Sequence, residues 1–290
     1  MTLTFRRFMH GLYAAGLVSI GGMLAAGYPY YSLTVEERPH SPLHTVFKPG
    51  GTWGHGFGII GSALVLLLFL YSARKRRWLG LRFGRLSRWL DVHILFGIMG
   101  PLLITLHSAG KLGGIVSISY FSMLAVALSG VFGRYIYMQI PRDLRGHTVG
   151  LDTVQKRVGE IEALLGTDYA LPSDVIEGVR RFARSAARDS GGLRAVGQTL
   201  LHDLTLRRRA ARLRRFIRQG HQEIPEQALN DIVALAREQS VLVRRVALLG
   251  AMTRMFHHWH VFHKPFAVIM IVIMFVHVGV TIAFGYRWVF

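Results

Sequence analysis

Two stretches decide the fold: WLDVHILFGIMGPLLITLHS, residues 89–108, and FHKPFAVIMIVIMFVHVG, residues 262–279. Each is apolar over close to the ~20 helical residues needed to cross a hydrocarbon core of ~30 Å. Each also carries two histidines fourteen residues apart, His93 and His107 in the first, His263 and His277 in the second. Ionisable side chains are costly within a membrane and are usually retained there for function. At about 100° and 1.5 Å per residue, that spacing returns each pair to one helix face, about 21 Å apart along the axis.

Working outward, apolar runs at residues 9–31, 53–73, 90–112, 115–138 and 262–284 read as five membrane-spanning helices, none with Lys, Arg, Asp or Glu in its middle. The first is too long for a signal peptide, and no small-residue cleavage site precedes its Tyr28–Tyr31 cluster. Between the fourth and fifth runs lies a polar insert whose apolar residues, Val154, Val158, Ile161, Leu164 and Leu165, recur at helical spacing. Pro172-Ser173-Asp174 and Pro225-Glu226 mark helix starts and Gly191-Gly192 a break, so four helices are expected there, the last running towards the fifth span. The predicted architecture is all-α: a five-span transmembrane helical bundle with a helical cytoplasmic insert between spans four and five. Its segments are spans one to four at 1–140, the insert at 141–256 and span five at 257–290.

The charge pattern orients this arrangement. The chain has 35 Lys and Arg against 16 Asp and Glu, a formal charge of +19 over 290 residues. Only Arg38, Lys48, Lys111 and Arg287 fall on one side of the spans; the other 31 basic residues lie in the N-terminus, the 74–88 loop and the insert with its flanks. By the positive-inside rule the N-terminus and insert are cytoplasmic and the C-terminus is outside, as in a bacterial inner membrane. Most of the basic excess is thereby an orientation signal, and no nucleic-acid partner is expected. The absence of cysteine excludes disulfides, thiolate-held iron–sulfur clusters, a CxxCH haem attachment and a cysteine nucleophile. With 14 histidines, metal or redox chemistry must run through imidazole.

Spans three and five run in the same direction, so His93 and His263 share a depth near the cytoplasmic face, and His107 and His277 share one near the outer face. Two facing imidazoles at each of two heights are what two bis-histidine haems require. The inner ligand of span five has competitors in the run HHWHVFHKP, residues 257–265. His263 keeps the face of His277; His260 is the alternative, because Pro265 can shift the register near the helix start. Gly56, Gly58, Gly61, Gly97, Gly100, Gly130 and Gly133 offer room for a flat ring, or simply close helix packing. Trp89, Trp259, Trp288, Tyr286 and Tyr30 are expected in the interfacial belts. Histidines that merely hydrogen-bond one another across a helix interface are the competing reading.

The same two stretches resemble the helices of membrane di-haem cytochromes b, both the cytochrome b of quinol-oxidising complexes and the ferric reductase-like transmembrane domain. That resemblance implies axial haem ligands at His93, His107, His263 and His277 and two b-type haems as cofactors. It covers spans three and five well, spans two and four loosely, and the insert not at all. No flavin or nicotinamide domain follows span five, as the ferric reductases have, and the large insert is foreign to the quinol-oxidising pattern.

The insert shows no dinucleotide fingerprint behind a strand and no P-loop lysine. Its outstanding feature is Arg207, Arg208, Arg209, Arg212, Arg214, Arg215 and Arg218 on one expected helix, a dock for an acidic cytoplasmic-side partner or anionic lipid, or a solvated charged face. The outer loop, with Glu36, Glu37, His40, His44 and His55, is a candidate edge for a quinone pocket, although His40 and His44 read more simply as surface residues. Asp91 is a candidate propionate neighbour of the inner haem. The expected function is electron transfer across the membrane as the di-haem subunit of a larger oxidoreductase complex with other redox subunits. The alternatives are a stand-alone quinol-dependent or ferric-reductase-like membrane oxidoreductase, and a non-redox membrane scaffold.

Overall fold

A computed structural model describes residues 3–80, 83–140, 151–167, 171–184 and 192–285. The described residues are all-helical: α1 (Leu3–Tyr31), α2 (His44–Phe47), α3 (Thr52–Lys75), α4 (Leu86–Ser108), α5 (Gly114–Gln139), α6 (Leu151–Thr167), α7 (Ser173–Arg184), α8 (Gly192–Gly220) and α9 (Glu226–Ala283), with single 3-10 turns at Arg38–His40 and Trp78–Gly80. Five of them, α1, α3, α4, α5 and α9, are long and apolar enough to cross a membrane. Two compact units divide the chain, one made of Met1–Phe132 with Val261–Phe290, the other of Gly133–His260.

In the first unit, α3 and α4 approach at two glycines. A Cβ on Gly61 would lie 3.2 Å from the Gly100 carbonyl oxygen, and one on Gly100 would lie 3.3 Å from that of Gly61. Side chains there would force the backbones apart, which is why small residues line such crossings. Val65, Met123, Met270 and Met274 join α3, α5 and α9 in one buried cluster, and Ser119 Oγ of α5 donates to the Met270 carbonyl at 2.9 Å. Outward, α1, α5 and α9 expose large apolar side chains: Val18 is 74% exposed, Leu128 71% and Val268 61%. Such apolar faces suit a helix packed in a membrane or in a protein core.

Three expectations near this unit change. α4 stops at Ser108, short of residue 112, because Ala109 (φ 46°) and Gly110 (φ 71°) turn left-handed and end the ladder. The buried carbonyl of Ala109 accepts from the guanidinium of Arg38, which is 7% exposed and also donates to Tyr31 O and Leu33 O at 2.9 and 3.1 Å. Tyr30, expected in an interfacial belt, is fully buried among Phe47, Phe57 and Leu106, with its hydroxyl 3.3 Å from His44 Nδ1. His44 is therefore half-buried, not a surface residue, while His40 is exposed. Trp288 and Tyr286 lie outside the described residues.

The second unit is an ordinary amphipathic assembly. α7 begins at Ser173 behind Pro172, and α9 begins at Glu226 behind Pro225. Proline fits a helix start, where its missing N–H has no intrahelical acceptor. Ile161 and Leu165 of α6, Val175, Val179 and Phe182 of α7, Leu213 and Ile217 of α8, and Leu229 and Ile232 of α9 form its core. A buried polar knot lies beside it. Arg244 donates to Asp203 at 2.6 Å and to Gln139 Oε1 at 3.1 Å, and Asp203 also accepts from Tyr135 and Gln139 at 3.1 and 3.2 Å. The pairing matters because a buried guanidinium without a counter-charge would be severely destabilising. α9 is one helix of 58 residues that continues through Pro265, where a single backbone donor is missing.

Candidate functional site

The four predicted intramembrane histidines are each part-buried and held by a specific contact. On α4, His107 Nδ1 donates to the Gly54 carbonyl at 2.8 Å, and His93 Nδ1 donates to the Leu68 carbonyl at 3.1 Å. Both acceptors belong to α3, so that helix sets the orientation of both rings. On the fifth span, Ser129 Oγ of α5 lies 2.8 Å from His263 Nδ1. An Nδ1–H held by a carbonyl leaves Nε2, the nitrogen farther from the backbone, as the lone-pair donor. Metal-ligating histidines are almost always anchored in this way, because the outer bond fixes tautomer and ring plane.

The two pairs differ. The His107 and His277 rings lie together edge-on, with centroids 6.4 Å apart and planes 61° apart. Imidazoles bound to opposite sides of one metal ion through bonds of about 2 Å place their ring centres roughly 6 Å apart. Room for the His107 ring depends on Gly58, where an added Cβ would sit 2.7 Å from His107 Nδ1. His93 instead packs on Tyr71, with centroids 5.2 Å apart.

The competitor His260 is anchored within its own helix, Nδ1 donating to the Phe256 carbonyl at 2.8 Å. Its ring is flanked by Phe256 and Trp259, at centroid distances of 4.5 and 4.6 Å. His257 and His258 are exposed. The proposed room at Gly133 is taken, since an added Cβ would meet the Trp259 ring at 2.3 Å; the space beside Gly130 is open.

Among the described residues no group of three or more histidine, aspartate and glutamate side chains converges on a metal position. A haem iron asks the protein for two axial side chains, and the adjacent His107 and His277 fit that demand in spacing and in the anchoring of His107.

The seven arginines of α8 divide. Arg209 lies over the Phe182 ring and donates to His202 Nδ1 and the Phe182 carbonyl at 2.5 and 3.2 Å. Arg214 and Arg218 both pair with Glu226, and they donate to Asn230 and to the Ile224 carbonyl. These three hold the unit together. Arg207, Arg208, Arg212 and Arg215 are exposed, with no hydrogen-bond or ion-pair partner among the described residues. The sequence reading missed the ring supports Leu68, Gly54, Tyr71 and Ser129. Ser129, a hydroxyl within an apolar run, was the one with a visible signal.

No family model matches the chain, and no curated protein or solved structure matches it either.

Proposed function

We propose that this protein is a b-type membrane cytochrome that holds two haems between α4 and the fifth span. The observation that carries the reading is the outer histidine pair, two rings 6.4 Å apart with His107 locked by the Gly54 carbonyl. His107 and His277 would ligate the outer haem, and His93 with His263 the inner one, His260 being the alternative inner ligand. When bound, the haem irons supply reversible one-electron chemistry at two depths of the membrane. The chain's part is to orient the imidazoles, keep water from them with the apolar helices, and tune their donor strength through the Nδ1 bonds.

In this reading the five apolar helices span an inner membrane, with the N-terminus and the 141–256 insert cytoplasmic and the C-terminus outside. The basic-residue asymmetry supports that orientation. The chain then serves as the electron-carrying subunit of an oxidoreductase complex, with a quinone or a partner redox subunit exchanging electrons at either face.

Purified in detergent with haemin supplied during expression, the protein is expected to carry about two non-covalent b haems per chain, one for each proposed histidine pair. Reducible absorbance bands typical of b haem would accompany them. A folded, colourless protein that takes up no haem contradicts the proposal and favours a non-redox scaffold.

A further inference from the structure

The outward face of α8 is unusual in composition. Leu201, Leu204, Arg208, Arg212 and Arg215 follow one another at three- and four-residue steps and so share a helix face. The inward face, with Ala210, Leu213 and Ile217, is spent on the core of the second unit. Leu201 and Leu204 are nonetheless 63% and 68% exposed, and neighbouring Leu200 is 46% exposed. An acidic protein dock or a solvated charged helix gives no reason for three exposed leucines in five residues. Leucines beside unpaired arginines are the composition of a helix lying in a lipid interface, with leucines among the acyl chains and guanidinium groups at the phosphates.

The position of these leucines agrees. Asp203, between Leu201 and Leu204, accepts from Tyr135 and Gln139 in the last turns of α5, one of the apolar membrane-length helices. The exposed leucines are therefore tied to the end of a spanning helix, where the headgroup region begins. The arginines extend the same face beyond it, with no acidic side chain paired to them among the described residues.

We propose that the Leu201–Arg215 face of α8 docks on an anionic lipid leaflet, inserting its leucines and binding lipid phosphates through Arg208, Arg212 and Arg215. The inference does not depend on the histidine ligands: a haem-free protein would leave it standing.

The chain contains no cysteine, so Leu201→Cys supplies a single site for a nitroxide label in the full-length protein. In nanodiscs containing phosphatidylglycerol, the label should become several-fold less accessible to a water-soluble paramagnetic quencher than in purely zwitterionic discs, roughly threefold or more. A label at Lys156 on exposed α6 should not change. Replacing Arg208, Arg212 and Arg215 together by Gln should abolish the difference without loss of helix content, because none has a hydrogen-bond or ion-pair partner among the described residues. Salt should weaken it, since screening shortens from about 10 Å at 0.1 M to about 3 Å at 1 M. Equal accessibility of Leu201→Cys in both lipids overturns the proposal. So does protection by an added acidic polypeptide when anionic lipid gives none.

Discussion

Histidine is used in two ways in this protein. Two histidines of the second unit, His202 and His221, have both ring nitrogens committed. His202 accepts from Arg209 at Nδ1, with Nε2 3.3 Å from Ser240 Oγ; His221 has Glu223 at Nδ1 and Asp174 at Nε2, at 3.2 and 2.9 Å. In the first unit His93 and His107 spend Nδ1 on a backbone carbonyl of α3, and Nε2 has no hydrogen-bond partner among the described residues. A ring with both nitrogens satisfied is finished as a structural part. A ring oriented by one nitrogen is prepared for a ligand at the other, and such preparation inside an apolar bundle is costly unless a ligand completes it.

The largest effect should come from removing rings on the prepared side. His277→Gly is expected to lower haem content from about two per chain to about one, and free imidazole should restore it, which separates ligand loss from misfolding. His93→Ala should remove the other haem. Comparing His263→Ala with His260→Ala then assigns the inner ligand, and the contact of His263 with Ser129 favours the first as the damaging change. If haem content, read by pyridine haemochrome assay, is unchanged in His277→Gly, the contrast between the two histidine classes fails.

A smaller perturbation acts through space. Gly58→Leu would push side-chain atoms into the volume of the His107 ring and should cost the outer haem selectively. Gly130→Leu, at a position with open space, should spare it. Smaller again is Ser129→Ala, which removes the hydroxyl beside His263 Nδ1. Loss of such an outer-shell partner typically weakens metal binding about 10- to 100-fold. A lowered inner-haem retention or a shifted midpoint potential would register it; equal values in wild type and variant would mean that the hydroxyl serves packing alone.

The least dramatic effect belongs to the finished histidines and shows as pH dependence. Burial first, then the neighbouring Arg244 and Arg209, push His202 down to about 4 from its ordinary value. Arg209 has only protons to offer, so its bond to Nδ1 exists only while His202 is neutral. Between about 6.5 and about 4 the unfolded chain takes up a proton that the folded one refuses. The stability linked to His202 is therefore present above pH ~6.5 and lost as pH falls towards 4. Amide exchange in α8 should speed up across that window, and His202→Gln should flatten the dependence. His221 has the opposite sign: hydrogen bonding to Asp174 raises it, so its contribution is present at low pH and fades as pH rises through the folded value.

Much of the fold was legible because hydropathy and helix starts are written in single residues. The membrane-length helices followed from unbroken apolar runs, and α7, α8 and α9 begin where Pro172, the Gly191-Gly192 break and Pro225 indicated. The candidate site is visible in the sequence as four histidines at a common spacing. What supports them was not, since backbone carbonyls at Leu68 and Gly54 carry no residue-specific mark and are chosen only by how α3 and α4 pack. Gly133 misled for a related reason: a glycine announces space but not its occupant, which is Trp259. Arg38 was similarly unreadable, because its task of closing the end of α4 depends on the left-handed turn at Ala109.

The central claim is that His107 and His277 take one iron between them. Near-infrared magnetic circular dichroism of the oxidised protein tests it most directly, because the charge-transfer band reports both axial ligands. The expected spectrum is low-spin with imidazole nitrogen on both faces, halved in intensity by His277→Gly. A high-spin or histidine–methionine spectrum, or a bis-imidazole signal undiminished in that variant, would contradict the account.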